Sequence, residues 1–350
     1  MPMLQASMQR RRWPVEWIHA PRGRRRRAAL RTGTIGLAMR QGSRPAQSSD
    51  RRRTRRYVSR MLKKLSNRGE AFVHDLLAPA AARHKAEIYR KVRIGDVIDI
   101  DELGAKRLRS LGFTGHFDFV VTDEDHHPQF AIEFDGGGHD PKNDELKNEI
   151  CRRADLALFR LDPGSSRLQI KQASFVAFLV DVWFYAQAFH RMQAEGSIAA
   201  DEPFMMMSFL KPDAKNIFDS EFVYAFTARA RLNRVVQSGD PFEHLNSASI
   251  SMIGPDGQYA AFARHGDHVG RSRVSFKAIT WGSLEAFEAA RELSEFCHAL
   301  AYHDLCDEIE LGRDAPNAVR SLEAAREEIA HITAQGFRLV LGMGDTKQWY

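Results

Sequence analysis

The stretch HFDFVVTDEDHHPQFAIEFDGGGHD, residues 116–140, constrains the fold more than any other part of the chain. Apolar residues alternate with others on both sides of a polar run, DEDHHP, which reads as two short strands around a turn. If the turn is symmetric, residues facing across it have numbers of constant sum. That sets 118 against 133, 120 against 131 and 122 against 129. Phe117, Phe119, Ile132 and Phe134 then point into a core. Asp118, Glu133 and Asp135 share the other face, with the Cβ atoms of the opposed pair about 4.5–5.5 Å apart. A slip of one residue would undo this arrangement. Two carboxylates so placed repel each other unless a cation lies between them, and a hard divalent ion takes such oxygen ligands. A solvated acidic face, or one protonated carboxyl, is the alternative, and the hairpin alone does not choose between them.

The flanking segments supply the layers. In NRGEAFVHDLL, Asn67 stands as a helix N-cap with Glu70 three residues on, a capping-box pattern. Phe72, Val73, Leu76 and Leu77 form an apolar stripe, and Pro79 should stop the helix soon after. EIYRKVRI (87–94) reads as a strand, and DELGAKRLRSLGF (101–113) as a short helix or irregular turn. After the hairpin, 140–154 reads as a helix with Asp140 as N-cap and Pro141 in its first turn. LALFRL (156–161) reads as a buried strand. This order predicts an α/β domain, a mixed sheet flanked by helices, over 61–195. The apolar run 173–189 has Asp181 at its centre and is short and costly for a bilayer, so it reads as a buried helix rather than a membrane span.

Two prolines and small polar residues mark 196–216 as a linker to a C-terminal α+β domain, 217–350. There the pattern predicts a helix near 219–236, strands around GPDG (254–257) and HGDHVG (265–270), helices over 283–311 and 315–334, and a final strand, FRLVLG. This domain shows no chemical signature, and His265 and His268 read as a solvated loop. Cys151, Cys297 and Cys306 are scattered with no CxxC pair, which fits a reducing cytoplasm and not a disulfide scaffold. Cys297 and Cys306 would face opposite sides of a helix, so buried thiols are expected there rather than a zinc site.

The net charge of +6 hides an asymmetry: residues 1–60 hold 17 arginines, no lysine and only Glu16 and Asp50 as acids, so the rest of the chain is acidic. The tail has no apolar period and reads as disordered. Three readings of it stand open: nucleic-acid binding, targeting, or an extension preceding a true start such as Met61. The last is preferred. The tail lacks the apolar region of a secretory signal.

An acid on one strand, then IEFDGGGH, then a helix carrying D-x-x-K (Asp144, Lys147) and an apolar strand ending FRL resemble the PD-(D/E)xK nuclease superfamily. The likeness is nearer still to its bacterial branch called domain-of-unknown-function family 2726, related to very-short-patch-repair-like endonucleases, and covers roughly residues 66–165. It implies a restriction-endonuclease-like core and Mg²⁺ or Mn²⁺, one or two ions, on Asp118 and Glu133, assisted by Asp135 and Glu70. It also implies phosphodiester hydrolysis of nucleic acid, with DNA preferred over RNA. Glu70 stands equally as a helix cap or as the acid of the family's first motif. The motif lysine is replaced by Asp135, and Asn148 stands where the branch often has an acid. His139 or Lys147, or a second metal on Asp135, would have to compensate. Lys91, Arg93, Lys106, Arg107 and Arg109 are the expected grip on nucleic acid. The departures leave a second reading open: a nuclease-like module that binds nucleic acid or a partner protein without turnover. Glycoside hydrolysis by paired carboxylates has little support. Oligomeric state is not legible.

Overall fold

The computed structural model describes residues 64–136, 140–170, 173–206, 224–236, 247–312 and 321–350. The expectations for the Arg-rich tail, for residues 207–216 of the linker and for His139 therefore lie outside the described residues. Residues Arg68–Tyr350 form one compact unit. It is mixed α/β, with seven α-helices and two main sheets among the described residues.

The first sheet has the order β1-β2-β3-β4-β10. Helix α1 (Arg68–Arg83) precedes β1 (Glu87–Arg93), and α2 (Lys106–Thr114) precedes the hairpin β2 (His116–Thr122) and β3 (Pro128–Phe134). Helix α3 (Pro141–Arg153) then leads to β4 (Ala157–Leu161), which runs parallel to β3, while β1 and β3 each run antiparallel to β2. Helix α1 begins directly after Asn67, as the capping pattern predicts. It outlasts Pro79 by four residues, about one turn, and then ends. Proline removes a single hydrogen bond there, and the alanines at 80–82, the best helix formers, carry the helix on. Asp140 caps α3, accepting from the Lys142 N–H at 3.1 Å, with Pro141 in the first turn as expected.

The predicted hairpin register holds where it matters: Phe119 faces Ile132, Val120 faces Ala131 and Val121 faces Phe130. Towards the turn it slips, Thr122 pairing with Pro128 in place of Gln129. The strand irregularity there coincides with Asp123, whose carboxylate accepts from the Asp125 and His127 N–H groups and from the Gln129 amide. A side chain that captures several local donors reshapes a turn that a symmetric count cannot anticipate.

Both faces of the sheet are covered. On one, Phe130 and Phe159 meet Trp183 of α4 (Phe175–Ala194), with ring centroids 5.3 and 6.1 Å away. Helix α1 packs beside α4. On the other, Ile94, Leu108, Phe117, Val120, Ala131, Ile150, Cys151 and Leu158 form one core under α2 and α3. Asp181, in the middle of α4, is 1% exposed. Its carboxylate accepts from Arg83 at 2.9 and 2.7 Å and contacts His84 Nε2 at 2.9 Å. This satisfies the charge that made the run unfit for a bilayer. No helix among the described residues is long and apolar enough to cross a membrane.

Beyond a small ribbon of β5 (Gln169–Ile170) and β6 (Ala173–Ser174), α5 (Tyr224–Val235) leads to the second sheet, of order β11-β7-β8-β9. It comprises β7 (Ala248–Ile253), β8 (Gln258–His265), β9 (His268–Ser275) and β11 (Arg338–Met343). It packs on α6 (Ala286–Leu311), and α7 (Leu322–Ala334) lies against it too. Strand β10 (Lys277–Thr280) continues from β9 but hydrogen-bonds to β4 of the first sheet. Phe276 and Trp281 on either side of it pack on Phe159 at 5.7 and 5.2 Å. The two sheets are thus joined by strand pairing as well as by sequence. Cys151, Cys297 and Cys306 are buried free thiols, and burial pushes each up to about 12. None supplies a thiolate nucleophile at neutral pH.

Candidate acidic site at the end of the hairpin

Asp118, Glu133 and Asp135 lie where β2 begins and β3 ends. The question is what offsets their repulsion, and the chain itself supplies three cations. Helix α3 crosses the sheet with Ile150 and Cys151 facing inward. Lys147, one turn earlier on the same stripe, therefore reaches the sheet too. Its Nζ donates to both oxygens of Glu133, at 2.9 and 2.8 Å. Glu133 is only 3% exposed. Burial pushes its carboxyl up to about 7, with the Asp118 charge adding to the effect and Lys147 and Arg160 opposing it.

Asp118 is fixed from two sides. Its Oδ2 accepts from the Phe134 N–H at 2.9 Å, across the end of the hairpin, and its Oδ1 accepts from Lys91 Nζ. Lys91 also donates to Glu70 Oε1 at 2.9 Å, so one ammonium bridges a carboxylate of α1 and a carboxylate of β2. Burial works against the Lys91 charge, but its hydrogen bonds to Asp118 and Glu70 outweigh this and raise its pKa. In β1 the neighbours Arg90 and Val92 pair with Phe119 and Phe117, which places Lys91 across from Asp118. The Lys91 backbone is left-handed, φ 53°, within the strand. Such a conformation costs a non-glycine residue about 1–2 kcal/mol. Glu70 is buried and meets Lys91 from α1.

Asp135 turns to a partner that the sequence reading did not single out. Arg160 grips it in a bidentate pair, at 2.9 and 2.8 Å, and the same guanidinium reaches Asp144 at 3.0 Å. Asn148 Oδ1 accepts from the third nitrogen at 3.3 Å. An amide at 148, in place of an acid, takes part in this network without adding another charge to it. Among the described residues, no three His, Cys, Asp or Glu side chains come together as a metal-binding group.

Residues 62–176 match a family model described as "Protein of unknown function (DUF2726)". That span contains Glu70, Lys91, Asp118, Glu133, Asp135, Lys147 and Arg160, and stops before the second sheet and β10. No curated protein and no solved structure gave a match.

The expected nucleic-acid contacts separate within the DUF2726 span. Lys91 belongs to the acidic site. Arg93 pairs with Asp96 at 2.7 Å, both half exposed. Lys106 and Arg107 are exposed on α2, and Arg109 is half-buried beside them. Arg152 and Arg153, at the end of α3, are tied to Glu149 of the same helix. The space over Gly136, just after β3, is taken by Phe134, whose ring also lies over Gly69: a Cβ at either position would fall 2.6 or 2.1 Å from it. Gly137 and Gly138 lie outside the described residues. One sequence signal could have revealed Arg160: it stands inside ALFRL, a strand with every residue buried, and a charge there needs partners.

Proposed function

We propose that the chain is a metal-dependent phosphodiesterase acting on nucleic acid, DNA in preference to RNA, through a restriction-endonuclease-like core. The observation that carries this reading is the placing of Asp118 and Glu133 at one end of the hairpin, close enough for the Asp118 charge to act on Glu133, with Lys91 joining Asp118 to Glu70. The α1-β1-α2-β2-β3-α3-β4 order supports it as well. The donor set fits Mg²⁺ or Mn²⁺ in kind: hard carboxylate oxygens, already holding positive charge as ammonium groups. Asp118 and Glu133 would hold the ion, with Glu70 assisting. When bound, the ion lowers the pKa of a coordinated water and offsets charge on the phosphate.

The chain's own residues do the rest. The Phe134 N–H fixes the rotamer of Asp118, and Lys147 fixes that of Glu133. Lys147, anchored on Glu133, brings positive charge to the place where phosphate charge develops, the role of the lysine that Asp135 replaces. Asp135, held by Arg160, acts here as a brace between β3, β4 and α3 and not as a metal ligand. Lys106 and Arg107 on α2 are the exposed basic side chains available to a polyanion.

A second reading has its own support. Every one of these carboxylates is already neutralised by a protein cation, as in a module that has kept the fold and lost turnover. Incubation of plasmid and short duplexes with the chain and Mg²⁺ or Mn²⁺ tests the choice. Cleavage abolished by Asp118→Ala and by Glu133→Ala is the expected result. Retained binding without cleavage in either ion establishes the module.

A further inference from the structure

We propose that Lys91 is an internal cation that competes with a divalent metal ion for Glu70 and Asp118, and that nucleic-acid phosphate relieves this competition. The inference rests on the metal-dependent reading above and assigns its gating residue. Three protein cations serve the acidic site, and they differ in access. The Lys91 side chain is 42% exposed, against 14% for Lys147 and 5% for Arg160. A ligand arriving from solvent meets Lys91 first.

The carboxylates it joins are much less exposed, at 9% for Glu70 and 13% for Asp118. Buried carboxylates left without a cation are costly, so the ammonium stays until another positive charge takes its place. Lys147 is differently placed, because both its hydrogen bonds go to the single carboxylate of Glu133. Lys91 instead joins two elements, α1 and β2, and its departure opens oxygens of both at once. A lysine head is a compact charge on a flexible stem, able to exchange a carboxylate oxygen for a phosphate oxygen nearby. Phosphate drawing Lys91 outward leaves Glu70 and Asp118 to the metal ion, and a metal ion displacing Lys91 leaves an ammonium for phosphate. Each ligand therefore tightens the other, by the reciprocity that any such coupling obeys.

The test is calorimetric titration of Mn²⁺ into the full chain and into Lys91→Met, each alone and with a short DNA duplex carrying non-hydrolysable linkages. Without DNA, Lys91→Met should bind Mn²⁺ about tenfold to a hundredfold more tightly than the unmodified chain, the equivalent of one charge-assisted hydrogen bond. DNA should tighten Mn²⁺ binding in the unmodified chain by a larger factor than in the variant. Equal or weaker Mn²⁺ binding by Lys91→Met overturns the inference while leaving the metal-dependent reading intact. No uptake by either protein, even with DNA, overturns that reading itself. Because the variant loses the partner of two buried carboxylates, thermal melts with and without Mn²⁺ provide a second measure. The ion should raise the midpoint of Lys91→Met more than that of the unmodified chain, and a rise no larger overturns the inference.

Discussion

Arg160 and Glu133 are neighbours on the parallel strands β4 and β3, in register, yet the guanidinium of Arg160 turns away to Asp135 and Asp144. Lys147 is left to make the direct pair with Glu133, to which Arg160 adds a weaker field. Two adjacent strands thus carry two separate ion-pair systems, one bracing the sheet to α3 and one facing the candidate site. Arg160 is 6% exposed, whereas the Asp135 and Asp144 side chains are 29% and 20% exposed and can recruit water. Arg160→Met should therefore cost less than about 2 kcal/mol, since the two carboxylates it releases can take up water. Asp135→Leu, which takes the bidentate partner from a buried guanidinium, should cost about 2–4 kcal/mol. Urea unfolding of both variants checks the order. Equal costs would contradict the bracing role.

The buried Asp181 predicts an asymmetry between its partners. Asp181 is nearly inaccessible, while Arg83 is 39% exposed and can turn to solvent. Arg83→Leu takes the guanidinium from a buried carboxylate, and should cost roughly 2–4 kcal/mol. Asp181→Leu, in an apolar helix, should come close to neutral. Thermal melts of the two single variants, compared directly, test this.

Glu133 predicts a pH dependence. Its carboxyl titrates near 7 in the folded chain, mainly because it is buried, against an ordinary value of 4.5. Between those two values the folded state binds more protons than the unfolded state, so this group's contribution to stability falls as pH rises. It is complete below 4.5 and gone above 7. At about 1.4 kcal/mol per unit, the full loss is roughly 3 kcal/mol. Unfolding free energy measured from pH 4.5 to 8 should fall less steeply in Glu133→Gln than in the unmodified chain. Parallel curves would show that Glu133 ionises normally.

Gly69 and Gly136 predict a steric effect. Both lie under the Phe134 ring, too close for any side chain. Gly69→Ala must push the ring aside and should cost about 1–3 kcal/mol. Combining it with Phe134→Leu should recover part of that cost, because the smaller side chain vacates the contested space. A double-mutant cycle by urea unfolding reads the coupling.

Much of the first sheet was legible in the sequence. Period-two alternation and a symmetric turn were enough to pair Phe119 with Ile132 and Val120 with Ala131. Asp140-Pro141 announced the start of α3, because capping chemistry is local. The slip at Thr122 was not legible, since it coincides with a side chain bonding its own turn. Lys91 looked like part of a basic surface patch, because sequence shows a charge but not what stands opposite it. Only pairing of β1 with β2 puts it against Asp118. Arg160 looked like part of an apolar strand for the same reason. The site's acids could be read from the hairpin, but the cations that balance them arrive from β1, α3 and β4, through contacts that no local pattern encodes.

The boundary expected at 196–216 is crossed by β10, which lies against β4. A truncated chain ending at 195 would therefore leave β4 with a bare row of amide and carbonyl groups, the kind of edge that recruits strands from other molecules. During synthesis β4 gains its outer neighbour only once residues 277–280 have been made.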